Sequence, residues 1–236
     1  MALQVPYASD NGPMTHRLPV KALEVTVLSP GADGSKRWAY KFSRNIVGHA
    51  AVPLDAVSTA GAGGNLTLRH CELLNTTLGE GEAFCLALAH LPDQPDTFML
   101  PVGFNTADEV QLAAGAVTTS ASGQRLTPAF TWHGFQHVIV EATAGVSFAG
   151  KLDSLEPHWT LPELAETSAI SFAGEGAEIL GQIQDITVAS QISNLAGFGP
   201  TDCPTREKHF WLGDAQDTAE ESMWVMPPSQ LSFSCT

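Results

Sequence analysis

Five side chains able to bind and cleave a glycosidic bond fall within one short run of the sequence. Asp202, Arg206, Glu207, Trp211 and Asp214 occupy a stretch of thirteen residues, in "TDCPTREKHFWLGDAQDTAEESMW". Glycoside hydrolysis needs two carboxyl groups flanking the scissile bond, one protonating the leaving oxygen and one serving water or attacking directly. A neighbouring indole gives a sugar ring an apolar wall, and burial beside an aromatic ring raises a glutamate's pKa so that it holds its proton. An arginine in the same run keeps the remaining carboxylates ionised. The same acids have a simpler use, since a carboxylate at a helix start accepts orphan backbone N–H groups. Spacing alone leaves both readings open.

The elements that must position this run change character along the chain. The first 150 residues read as strands. Leu23, Val25 and Val27 alternate with Glu24 and Thr26; Trp38, Tyr40 and Phe42 share a face; Leu66 and Leu68 repeat the pattern. Period two predicts one buried and one wet face. "AFCLALAH" and "TFML" read as short apolar strands. In "PAFTWHGFQHVIVEA" a break is expected at Gly134, then alternation through His137, Val138, Ile139 and Val140. Turn clusters rich in glycine separate these runs, so an antiparallel β-sandwich is expected. "EPHWTLPE" reads as a linker. Beyond it, Ile179, Ile183, Ile186 and Ser190 recur at helical steps, with a stop near Asn194 and Gly197. Ala215, Ala219, Met223 and Met226 mark a second helix, capped by Asp214 and ended by Pro227 and Pro228.

Composition narrows the function classes. The 236-residue chain is 44% hydrophobic, enough for a sizeable core, and its formal net charge is −14. Nucleic-acid readers carry a basic patch, and the densest basic group, Lys36-Arg37 with Lys41 and Arg44, is small; neither nucleic acid nor an anionic membrane is expected as a partner. No apolar run reaches the length of a membrane-spanning helix. The N-terminus lacks the basic start and apolar core of a signal peptide, while Asn65-Leu66-Thr67 and Asn75-Thr76-Thr77 are sequons; the compartment stays open. Cys71, Cys85, Cys203 and Cys235 form no C-x-x-C pair, so no disulfide framework is expected. His70 and Cys71 with Cys85 and His90 fit no zinc spacing, and no metal site is expected.

The letters of the run carry more than its spacing. "DCPTREKHFWLGDAQ" resembles the signature of the α-L-rhamnosidase family of glycoside hydrolases, with its Asp-Cys-Pro start, Arg, Glu and Trp, and Gly-Asp-Ala-Gln close. "RWAYKFSRNIVGHA", "NLTLRHCELLN" and "FTWHGFQHVIVEA" resemble three upstream segments of the same family, in the same order, so the resemblance runs from about residue 18 to residue 226. It implies β-sandwich domains leading into an α/α barrel of six helical hairpins, with hydrolysis of terminal α-L-rhamnose by inversion and without a cofactor. Position by position, Glu207 matches the general acid. Asp202 and Asp214 match sugar-binding carboxylates, Trp211 the aromatic wall, and Arg206 the motif arginine.

Several positions depart from the family pattern. Lys41, Ser43 and Arg44 stand where Asp, Gly and Gln are usual, Trp132 replaces Tyr, and Gln136 replaces Arg; Phe210 stands where Gly usually precedes the tryptophan, which narrows the pocket. The family's general base lies further along the barrel than Thr236. The expectation is therefore a mainly β chain: a β-sandwich accessory domain over 1–157, the first helices of an incomplete α/α barrel over 158–226, and a divergent tail over 227–236. Such a chain would bind a rhamnose-containing glycoside yet lack its base. The other reading is a non-catalytic carbohydrate-binding β-sandwich.

Overall fold

The computed structural model describes residues 20–75, 84–86, 107–113, 124–128, 131–160, 170–195 and 211–225. Their framework is a seven-stranded sheet. Its main path runs β1 (Ala22–Leu28), β2 (Lys36–Pro53), β9 (His133–Ala142), β4 (Gly63–Cys71) and β7 (Ala107–Ala113); β8 (Arg125–Leu126) and β11 (Glu156–Trp159) also pair with β2. Every pairing in it is antiparallel. Two smaller ribbons join β10 (Val146–Phe148) to β3 (Val57–Thr59) and β5 (Leu73–Asn75) to β6 (Phe84–Leu86).

The period-two reading holds on β2 and β4. Trp38, Tyr40 and Phe42 all point into one core with Leu66 and Leu68. Trp38 and Phe148 meet edge to face at 5.1 Å, and Phe42 meets Phe135 at 5.8 Å. On β9, Val138, Ile139 and Val140 are all buried, against the expected alternation. The cause is position. Val138 and Val140 enter the main core, while Ile139 enters a second cluster with Leu28, Ala39 and Cys71. Nor does Gly134 break this strand; it pairs with Val47 inside it.

The expectation fails at the edge. Leu23 and Val27 on β1 are exposed: Leu23 sits at a register shift between Ala22 and Glu24, and Val27, although opposite Trp38, lies on the strand that ends the sheet path. The expected linker is also corrected: Glu156–Trp159 is a strand, paired with residues 48–51 of β2. Pro157 is tolerated there because it lies opposite Ala50 at a position that needs no N–H. The Thr160 N–H donates to the Val47 carbonyl at 2.9 Å, so Gly48–Trp159 and Ala50–Pro157 are the non-hydrogen-bonded pairs of this ladder. "TFML" lies outside the described residues.

Two helices follow, α1 (Ala177–Ser193) and α2 (Leu212–Val225). Helix α1 ends at Asn194 as expected, but its inward face is not the one read from the sequence. Val188, Gln191 and Ile192 are buried, and Val188, Ile192 and Leu195 join the core of the sheet. Ile179, Ile183 and Ile186 are more than half exposed. Among the described residues no helix is long and apolar enough to cross a membrane.

Candidate functional site

Of the five residues singled out in the sequence, the structure describes two. Trp211 immediately precedes α2 and is exposed, and Asp214 is exposed in the first turn. Asp202, Arg206 and Glu207 lie outside the described residues. The capping expectation is revised. The helix starts at Leu212, and the Ala215 N–H donates to the Trp211 carbonyl at 3.0 Å, so Asp214 sits within the first turn, as its third residue, rather than before it. A carboxylate there still faces the positive end of the helix dipole. Trp211 and Asp214 are exposed, while Ala215 in the same turn is buried. An exposed indole and a carboxylate about one turn apart can offer a sugar a stacking surface and a hydrogen-bond acceptor.

A second polar group lies inside the sheet, and sequence reasoning missed it. His70 on β4, Asp108 on β7 and His133 on β9 bring their ligand-capable atoms within 4.8 Å of one another. His133 Nε2 is 3.0 Å from Asp108 Oδ1, and His70 Nδ1 is 3.8 Å from Asp108 Oδ2. The two imidazoles stack at 4.2 Å, and Phe135 lies edge-on to His70 at 4.8 Å. His70 Nε2 accepts the Ala50 backbone N–H at 3.3 Å. Asp108 also borders a cavity of about 320 Å³ walled by Val52, Leu66, Leu68 and Leu126, with Thr127 and Thr131 adding hydroxyls. The alternation of "NLTLRH" marks His70 as the end of a buried strand. Nothing local links it to Asp108 or His133, which strand pairing alone brings to it.

Other polar groups have structural partners. The Tyr40 hydroxyl donates to the Lys151 carbonyl at 2.6 Å, and burial raises its pKa well beyond the usual phenol range. Burial pushes Glu156 up, but the hydrogen bond and charge of Arg125 outweigh it and hold the carboxyl below its ordinary value. Burial lowers His137, aided by the charge of Lys41. The sequence predicted no disulfide, yet Cys71 at the end of β4 is disulfide-bonded. Cysteine spacing along the chain does not report which thiols a sheet brings together.

No protein-family model matches the chain. A curated α-L-rhamnosidase of Formosa agariphila is 28% identical over 97 residues, which is 41% of this chain and 10% of that protein. Among solved structures, the chain is similar to the α-L-rhamnosidase from Dictyoglumus thermophilum (TM-score 0.57, 22% identity, covering 89% of this chain and 20% of that one). It is also similar to the native enzyme from Aspergillus terreus (TM-score 0.56, 18% identity, covering 88% and 21%). A rhamnosidase from Klebsiella oxytoca with rhamnose bound aligns at TM-score 0.52 and 15% identity, covering 87% and 35%. The chain thus spans about a tenth of the curated relative and a fifth to a third of these structures. The chain is similar in fold to solved α-L-rhamnosidases over most of its length, and similar in sequence to a curated one over part of it.

Proposed function

We propose that this chain is the acid-bearing portion of an inverting α-L-rhamnosidase-like hydrolase that releases terminal α-L-rhamnose from glycosides. One conjunction carries the reading. The chain has the fold of solved α-L-rhamnosidases over most of its length, and where α2 begins it bears the acid-rich run that resembles the family signature. In this reading residues 1–157 are a β-sandwich accessory domain, 158–226 open an α/α barrel, and 227–236 are a divergent tail. The exposed isoleucines of α1 and the exposed Trp211 and Leu212 support a helical layer that continues against them.

Glu207 protonates the leaving oxygen. Asp202 and Asp214 accept hydroxyls of the sugar, Trp211 covers its apolar face, and Arg206 keeps the neighbouring carboxylates ionised. Inversion needs a base about 6.5–9.5 Å from the acid, with water between them. Asp202 and Asp214 flank Glu207 in sequence and are read as sugar-binding carboxylates beside the acid, so in this reading the base comes from outside these residues and the chain alone turns over negligibly. The test is L-rhamnose release from an aryl α-L-rhamnoside by the purified chain and its Glu207→Gln variant. Turnover on the order of 1 s⁻¹, abolished by that substitution, would place a base within the chain and overturn this part of the reading. Rhamnose binding centred on the sheet instead of residues 202–214 would favour the non-catalytic sugar-binding alternative.

A further inference from the structure

The His70–Asp108–His133 cluster has the residue types of a metal site, but its hydrogen bonding argues for a different role. The Ala50 N–H is a fixed donor, so the ring nitrogen it meets, His70 Nε2, carries no proton. The proton of neutral His70 is then on Nδ1, which lies 3.8 Å from the nearer Asp108 carboxylate oxygen. A metal ion on Nδ1 needs that proton gone, which would leave the ring as an imidazolate; metal-bound histidines instead keep an N–H on the remote nitrogen. At His70 that remote nitrogen is committed as an acceptor.

The same bond makes the cluster sensitive to acid. Ala50 belongs to the stretch of β2 that pairs with β11, and at its non-hydrogen-bonded pair with Pro157 its N–H turns away from β11. On that other side β9 has ended, at the pair of Gly48 with His133. The imidazole of His70 stands in for the missing strand carbonyl, inside the core and 1% exposed. A second proton on His70 would set its Nε2–H against the Ala50 N–H, so the ring cannot be charged while the bond is made. Among the described residues the titratable groups facing His70 are Asp108 from β7 and His133 from β9; β2 presents the Ala50 amide and β9 also the Phe135 ring. The cavity borders the cluster at Asp108.

We propose that His70, backed by Asp108 and His133, is an acid-opened clamp that ties β2 to β4, β7 and β9 beside the seam where β11 leads toward the helices. The linkage sign follows from proton binding. The open form takes up a proton on His70 and the closed form does not, so closure is most favourable above the free imidazole value and weakens about tenfold per pH unit as pH falls below about 6.5.

The test is amide hydrogen exchange at Ala50 in the whole chain, corrected for intrinsic pH dependence. Protection should fall about 100-fold between pH 7.5 and 4.5, the ratio expected for an open imidazole of pKa about 6.5. His70→Gln, whose amide oxygen accepts the Ala50 N–H but takes no proton, should change less than about threefold over that range. Wild-type protection that ignores pH, or a His70→Gln chain that falls as wild type does, would overturn the clamp. Independently of whether that variant folds, nitrogen-15 spectra at pH 7.5 should show His70 protonated on Nδ1 and bare on Nε2. The reverse tautomer, or movement of these signals on adding Zn²⁺, would also overturn it.

Discussion

Gly48 tests how the sheet joins the helical part of the chain. It lies on β2, opposite His133 of β9 on one edge and Trp159 of β11 on the other. A Cβ built there would overlap the His158 carbonyl oxygen and lie 2.9 Å from both the His158 carbonyl carbon and the Thr160 nitrogen. These are backbone atoms, so no rotamer change relieves the clash, and Gly48→Ala must push β11 off β2. Overpacking of this kind costs about 1–3 kcal/mol. Losing the Thr160-to-Val47 hydrogen bond adds about 1 kcal/mol. The sum, about 2–4 kcal/mol, corresponds to a fall in Tm of roughly 4–16 °C for a chain of this size. Circular dichroism melts of wild type and Gly48→Ala read it directly. A melting point within about 2 °C of wild type, less than a loss of 1 kcal/mol would produce, would show that β11 is not seated on β2 as described.

Three further outcomes are expected. Tyr40→Phe leaves the Lys151 carbonyl without its 2.6 Å donor and should cost about 1–3 kcal/mol in urea unfolding; a neutral effect would mean that water replaces the hydroxyl. Because burial raises Tyr40, ultraviolet titration of the folded protein to about pH 11, one unit past the free phenol value, should give the same tyrosinate signal in wild type and Tyr40→Phe; a signal that the substitution removes would place Tyr40 in water. Glu156 has its folded pKa depressed, so its contribution is present above the ordinary value of 4.5 and is lost as pH falls through the lower folded value. The pair with Arg125 is largely exposed, so Glu156→Gln should cost less than about 1 kcal/mol at pH 7, and a larger loss in a melt would point to a buried role.

How much of this was legible in the sequence depends on how local each signal is. Trp38, Tyr40 and Phe42 report their shared face through period two, because a strand with neighbours on both sides has no freedom to turn. Leu23 and Val27 carry the same signal on an edge strand, where a register shift at Leu23 and the lack of a neighbour beside Val27 override it. Helix α1 is read correctly as a helix, and its isoleucine stripe is real. Its contact with the sheet, however, runs through Val188 and Ile192, which the stripe does not predict. The prolines of "EPHWTLPE" hide a strand because Pro157 falls where no N–H is required. The run at 202–214 is recognisable from its letters, whereas His70, Asp108 and His133 meet only through the pairing of three strands.

The most direct measurement is the site of rhamnose binding on the chain. Addition of L-rhamnose should perturb the Trp211 indole N–H and the backbone amides of residues 202–214 in nitrogen-15 spectra, with the response weakened by Asp214→Ala and Glu207→Gln and absent with D-glucose. Perturbation confined to the sheet, or saturable binding untouched by both substitutions, would contradict the assignment of the sugar site to this run.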